Sequence, residues 1–269
     1  MRFPRTASIF AEIIRNSERP EDPAIVRHDH RRAVIAQLYL AALRKVLARA
    51  QIEVLHKLHA GSGKIKNTEP VAADLTFNLT GFKNSFFAAM REAGEEAFGI
   101  SAEGMLSELG IDRKYITPHG IIHDFVLARE NKLSGVPDEI YDEIKSTLKD
   151  GIQSGETMAQ LAERVKSRFD DIDDGRAQTI ARTETASAYG AGRMDSLKQA
   201  GFTHKRWLTA QDDRVRISHN DAQAEGAIPA DQDFENGLAY PGDPDGPAEE
   251  VINCRCVLQA AEDPEEEDV

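Results

Sequence analysis

The chain has 269 residues, 41% of them hydrophobic and 29% charged, which is enough apolar material for a sizeable core and excludes wholesale disorder. No apolar run approaches the ~20 residues of a membrane span, and the first 20 residues lack the continuous apolar stretch of a secretory signal. A formal net charge of −13 argues against a protein whose main work is coating nucleic acid, and two cysteines, Cys254 and Cys256, are too few for a disulfide scaffold.

In chain order, three prolines punctuate residues 1–24 and leave room for a short helix at 7–15. The spacing of Ile35, Leu38, Ala42, Val46 and Leu47 predicts a long helix over 30–59, stopped by Gly61-Ser62-Gly63. Phe82, Phe86, Met90, Ala93 and Ala97 predict a second helix ending at Gly99, with a short one at 102–109. A helix at 119–131 follows. Asp138 is placed to cap a helix through Leu148, whose stripe is Ile140, Ile144 and Leu148. Met158, Leu161, Ala162, Val165 and Phe169 mark the next, and Gly175 is read as a break before a helix over 176–199. After Gly201 the texture changes: a strand at 206–210, a turn at Asp212-Asp213, a Gly/Pro/Asp-rich loop through 241–247, and a terminal strand at 250–259. The expected fold class is α+β: a largely helical region over 1–139, a small α+β domain over 140–260, and an acidic tail over 261–269.

Charge is uneven. Residues 1–66 hold 13 Lys/Arg and 6 Asp/Glu, whereas residues 207–269 hold 3 and 17. A basic front and an acidic rear suit either different partners or two solvated faces. The front lacks the aromatic interleaving of a base-stacking surface.

Chemistry-bearing residues collect late in the chain. On a helix, Ile180, Glu184, Ser187, Ala191 and Met194 share one face, so Glu184 falls inside an apolar stripe and needs a donor or cation. Arg182 points elsewhere. In an extended segment Cys254 and Cys256 point to one side with Ile252 and Leu258, and Arg255 and Asn253 to the other. Burial as apolar thiols, a zinc site completed by His219 and by His204 or Asp213, a strained disulfide, and a catalytic Cys–His219 pair all remain open. His119 and His123, four apart, read as ordinary helix residues. No phosphate-binding loop, dinucleotide fingerprint, His-Glu-x-x-His or Gly-x-Ser-x-Gly occurs.

Taken in order, ARTE at 181–184, KRW at 205–207, DDRVRISH at 212–219, Phe234, PGDP at 241–244 and EVINCRC at 250–256 resemble the phage Mu F-like family of minor head, or head morphogenesis, proteins. The resemblance covers roughly 140–258. It implies a low-copy component of tailed-phage or prophage heads, associated with the portal, located in the virion head or in the host cytoplasm during assembly. The family positions carry over as Arg182, Glu184, Trp207, Asp212, Arg214, His219, Pro241, Gly242, Asp243, Pro244, Asn253, Cys254 and Cys256, a structural or binding network rather than a catalytic set. The expected partners are the portal protein, with scaffold or major capsid protein as further candidates. Packaged DNA would be a non-specific neighbour of the basic front. No membrane and no cofactor are expected, zinc being the alternative. A competing expectation is a hydrolytic or toxin-related enzyme using the His/Cys/Glu residues, because the module also resembles domains attached to bacterial toxins.

Overall fold

A computed structural model describes residues 23–60, 68–116 and 119–264. The expected helix at 7–15 and most of the acidic tail lie outside them. Among the described residues, seven helices come first: α1 (Pro23–Ala60), α2 (Thr68–Leu75), α3 (Leu79–Glu108), α4 (His119–Lys132), α5 (Val136–Gln153), α6 (Met158–Ile172) and, after a π-helical turn at Asp173–Ala177, α7 (Gln178–Ala200). Then follow β1 (His204–Leu208), α8 (Ile217–Ala224), β2 (Ala227–Pro229), α9 (Ala248–Val251) and β3 (Val257–Ala261). The architecture is therefore a largely helical region followed by a small mixed region with a three-stranded sheet. None of the described helices is long and apolar enough to cross a membrane.

The first long helix starts at Pro23 rather than 30 and the first strand at His204 rather than 206, and four further boundaries differ from those expected of the sequence. Gly99 does not end its helix: α3 runs through it, because Phe98 and Ala102 on either side are fully buried and that packing outweighs the ~1 kcal/mol a mid-helix glycine costs. Gly175 does not break the chain but sits in the wider π turn, which joins α6 to α7. The expected strand at 250–259 is split. A helical turn, α9, is followed by Asn253 at φ 57, and β3 starts only at Val257. Asp138 lies in the first turn of α5 rather than at its cap, which is Gly135, with Pro137 setting the entry.

Two compact units divide the described chain. One comprises residues 39–93 and 129–180. Its interior is apolar and periodic. Ile140, Ile144 and Leu148 of α5 are buried, as are Leu161, Val165 and Phe169 of α6, and the two helices pack together. Gly155 at φ +74 turns the chain between them, and Thr157 with Gln160 forms a capping box on α6. Gly151 permits the close approach, since a Cβ there would lie 2.5 Å from Leu161 Cδ2.

The other unit takes residues through 38, 94–128 and from 181 onward. Its axis is α7, buried continuously from Thr183 to Leu197. Small residues make this possible. A Cβ on Gly192 would meet the Phe98 carbonyl oxygen at 2.5 Å, and one on Gly190 would meet that of Pro241 at 2.2 Å. Ser101 Oγ donates to the Tyr189 carbonyl at 2.6 Å and Ser196 Oγ to that of Ala102 at 2.9 Å, tying α3 to α7. The sheet has order β2-β1-β3, both pairings antiparallel, with Lys205 opposite Ala260 and Trp207 opposite Leu258.

Candidate functional site

The sheet and α7 enclose a cluster of Ala186, Met194, Trp207, Ala222, Phe234, Leu238, Cys254, Cys256 and Leu258. Polar side chains are set into this apolar ground. His219, on the first turns of α8, is 1% exposed, Cys254 1% and Cys256 4%. His219 Nδ1 stands 3.3 Å from Cys256 Sγ and 3.8 Å from Cys254 Sγ. Trp207 meets the imidazole edge to face at 5.0 Å, and Phe234 packs on the other side of the indole.

On the far side of the ring, Glu250 Oε2 lies 2.8 Å from His219 Nε2, off the axis of a linear N–H bond. Ser218 Oγ donates to the same carboxylate at 2.8 and 3.1 Å. The two thiols interact. Cys254 is held well below the ordinary thiol range because Cys256 and His219 hydrogen-bond to its sulfur, against the burial that opposes charge. Cys256 is pushed upward by its bond to Cys254 and by burial.

The turn that delivers the cysteines is pinned from three directions. Asn253 N donates to Thr183 Oγ1 at 3.2 Å. Arg32 Nη2 donates to the Cys254 carbonyl at 3.1 Å, and Nη1 to that of Arg255. Arg255 forms a two-point ion pair with Asp212, whose own Oδ1 accepts from Arg214 N at 3.0 Å. Burial alone would raise Asp212, but these bonds hold its carboxyl below the usual range. Cys254 and Cys256 do point to one side, as period two requires. Ile252 does not join them, being 42% exposed, because the chain reverses at Asn253.

The Pro241-Gly242-Asp243-Pro244 loop is ordered and buried against α7. Gly242, at φ +83, has no room for a Cβ, which would fall 2.6–2.8 Å from the Ala186–Ser187 backbone. Ser187 Oγ donates to the Gly242 carbonyl at 2.6 Å. Asp243 Oδ2 accepts from Ala239 N and Oδ1 from Asp245 N, both at 2.9 Å, and burial pushes its carboxyl upward.

Of the residues singled out in the sequence, the structure therefore brings Trp207, His219, Cys254 and Cys256 together. It buries Glu184 on the inner face of α7, with Arg182 half-buried, and sets Asp212 and Asn253 around the cysteine turn. Arg214 is exposed, 3.8 Å from Asp212. His204 neighbours Asp263 and Thr203, Asp213 and His123 are exposed, and none of the three joins the cysteines. Sequence reasoning missed Glu250, Arg255, Arg32 and Lys205. The last had a signal: alternation along β1 puts it on the same face as Trp207. It is fully buried, donates to the Ala239 carbonyl at 2.8 Å, lies over the Phe234 ring, and is lowered to about 8 by burial.

Chemically, the arrangement offers two thiols and one imidazole nitrogen converging on a point, a donor set suited to a soft cation or to a sulfur–imidazole hydrogen-bond network. A family model described as Phage Mu protein F like protein matches residues 142–259. Minor head protein GP7 of Bacillus phage SPP1 is 32% identical over 126 residues, which is 45% of this chain and 40% of that protein. The chain thus spans under half the length of that relative. No solved structure matches it.

Proposed function

This chain belongs, through residues 142–259, to the phage Mu F-like family of minor head proteins, and from that premise we propose that it acts in head morphogenesis of a tailed phage or prophage by contacting the portal protein. The observation that carries the proposal is where the matched segment falls. It contains α7, the sheet up to Gln259, the Pro-Gly-Asp-Pro loop and the Cys-x-Cys turn, which are bonded to one another across long stretches of chain. Such a cross-bonded framework around α7 suits a protein that must present a fixed surface to an assembly.

The helical front supplies the contact in this proposal. Lys45, Arg49, Ile52 and His56 are exposed at helical spacing on α1, and Ile52 is 59% exposed. A basic strip with an apolar centre fits an acidic protein surface on the portal, with scaffold or major capsid protein as further partners and packaged DNA as a non-specific neighbour. Removing residues 1–66 would be a poor test, because Ile35, Tyr39, Leu43 and Val54 of the same helix are core residues. Charge reversal at Lys45 and Arg49 is cleaner.

The experiment is a pull-down of the full chain against the portal protein encoded beside it, with quantitative detection in purified heads. Saturable binding that weakens at least tenfold in the Lys45→Glu/Arg49→Glu variant, with a small fixed copy number per head, is the expected result. Absence of portal binding together with absence from heads would overturn the proposal.

A further inference from the structure

We propose that His219, Cys254 and Cys256 bind one zinc ion, with Glu250 orienting the imidazole from its opposite side. The three donor atoms lie within 4.8 Å of one another and are all buried. Zn–S and Zn–N bonds of about 2.3 and 2.0–2.1 Å at tetrahedral angles place sulfur and nitrogen about 3.6 Å apart. The observed separations, 3.3 and 3.8 Å, fall on either side of that value. One imidazole lone pair cannot accept linear hydrogen bonds from two thiols, whereas a cation between the three atoms engages all of them.

The surroundings are those of a ligating histidine. Ligating imidazoles present one nitrogen to the metal and the other to a carboxylate or carbonyl that fixes the tautomer. Here Nδ1 faces the sulfurs and Nε2 faces Glu250, itself held by Ser218. A proton on Nε2, with the Glu250 carboxylate 2.8 Å away, leaves the Nδ1 lone pair free for the metal. The Trp207 ring packs edge to face on the imidazole at 5.0 Å and fixes its plane. Arg32, on the carbonyls of Cys254 and Arg255, holds the turn that carries both sulfurs.

Charge and softness select the ion. Two thiolates balance a divalent cation, so the buried centre is neutral and escapes the penalty of an isolated charge. Thiolate and imidazole donors favour zinc over magnesium or calcium. No other His, Cys, Asp or Glu among the described residues joins the group, so the fourth position falls to water. The site does not depend on portal binding, and its test is separate from that one.

Full-length protein purified without chelator from zinc-supplemented cells should carry about one zinc per chain by elemental analysis. Replacing the zinc with Co2+ should produce a thiolate-to-cobalt charge-transfer band, lost in Cys254→Ser and in Cys256→Ser. Glu250→Gln should keep the stoichiometry and weaken affinity roughly 10–100-fold in a chelator competition. Wild-type protein with zinc far below one per chain and no charge-transfer band on Co2+ titration would overturn the proposal. Both readouts are made on the wild-type chain, so the outcome holds even where a variant fails to fold.

Discussion

The two compact units satisfy their buried polar groups in opposite ways. In the unit of residues 39–93 and 129–180, the buried polar side chains among the described residues are Thr76, Arg129 and Thr147. Both threonines bond back four residues along their own helix, Thr76 to Ala72 and Thr147 to Glu143. In the other unit, Arg193, Lys205, Ser187 and His219 are buried, and their bonds cross long stretches of chain: Ser187 reaches 55 residues to Gly242 and Arg193 reaches 65 to Leu258. An apolar helical core tolerates exchange among residues of similar volume. A polar interior specifies one arrangement, because every unpaired group is expensive. The contrast locates the chemically particular part of the molecule in the unit that carries His219 and the cysteines.

The sharpest way to break this comparison is Arg193→Met. Arg193 is 1% exposed and donates to Glu108 Oε2 at 2.6 Å and to the Leu258 carbonyl. Removing it strands the Leu258 carbonyl and leaves Glu108 to Arg31 alone, and urea denaturation should show a loss of about 3 kcal/mol. A loss under about 1 kcal/mol, the size of one ordinary hydrogen bond, would mean that the network is dispensable.

A second, smaller effect is set by pH. His28 is buried beside the Tyr189 hydroxyl at 2.9 Å, facing Glu108, Arg193, Arg31 and Arg32. Burial first, then Arg193, lowers it from 6.5 to about 4, with Glu108 pulling the other way. Between those values the unfolded chain takes up a proton that the folded chain refuses. The stability of the neutral-His28 fold is complete above pH 6.5 and is lost as pH falls toward 4, the loss reaching about 2–3 kcal/mol at pH 4.5. Denaturation midpoints at pH 7.5 and 4.5 should differ less in His28→Gln than in the wild type; equal differences would remove His28 as the cause.

The smallest expected effect lies in the apolar unit. Thr157→Ala deletes the capping box of α6 and should lower stability by about 1 kcal/mol, independent of pH between 5 and 8. A loss as large as that of Arg193→Met would show that local bonds matter there as much as distant ones do in the other unit.

What the sequence discloses follows the same division. The stripes Ile140/Ile144/Leu148 and Leu161/Val165/Phe169 are legible because a helix repeats its pattern within a few residues. Glu184 as an inward carboxylate is legible for the same reason. The Cys-x-Cys alternation correctly gives one-sided thiols but reaches too far when it includes Ile252, since nothing local announces that Asn253 takes positive φ. Glu250 is hidden because its meeting with His219 depends on how α9 returns to α8. Arg32 is beyond any local pattern, standing 222 positions before the Cys254 carbonyl it binds. Phe98 and its neighbours override Gly99 through burial that only the tertiary structure reveals.

The interleaving of the two units along the chain also sets an order of manufacture. The apolar unit has all of its chain once residue 180 has been synthesised, whereas the other must wait for β3 at Val257–Ala261. At roughly 5–20 residues per second, about 4–16 seconds of translation separate the two events. Until that interval ends Arg193 and Trp207 have no complete sheet to close over them, and the two thiols are among the last side chains to arrive.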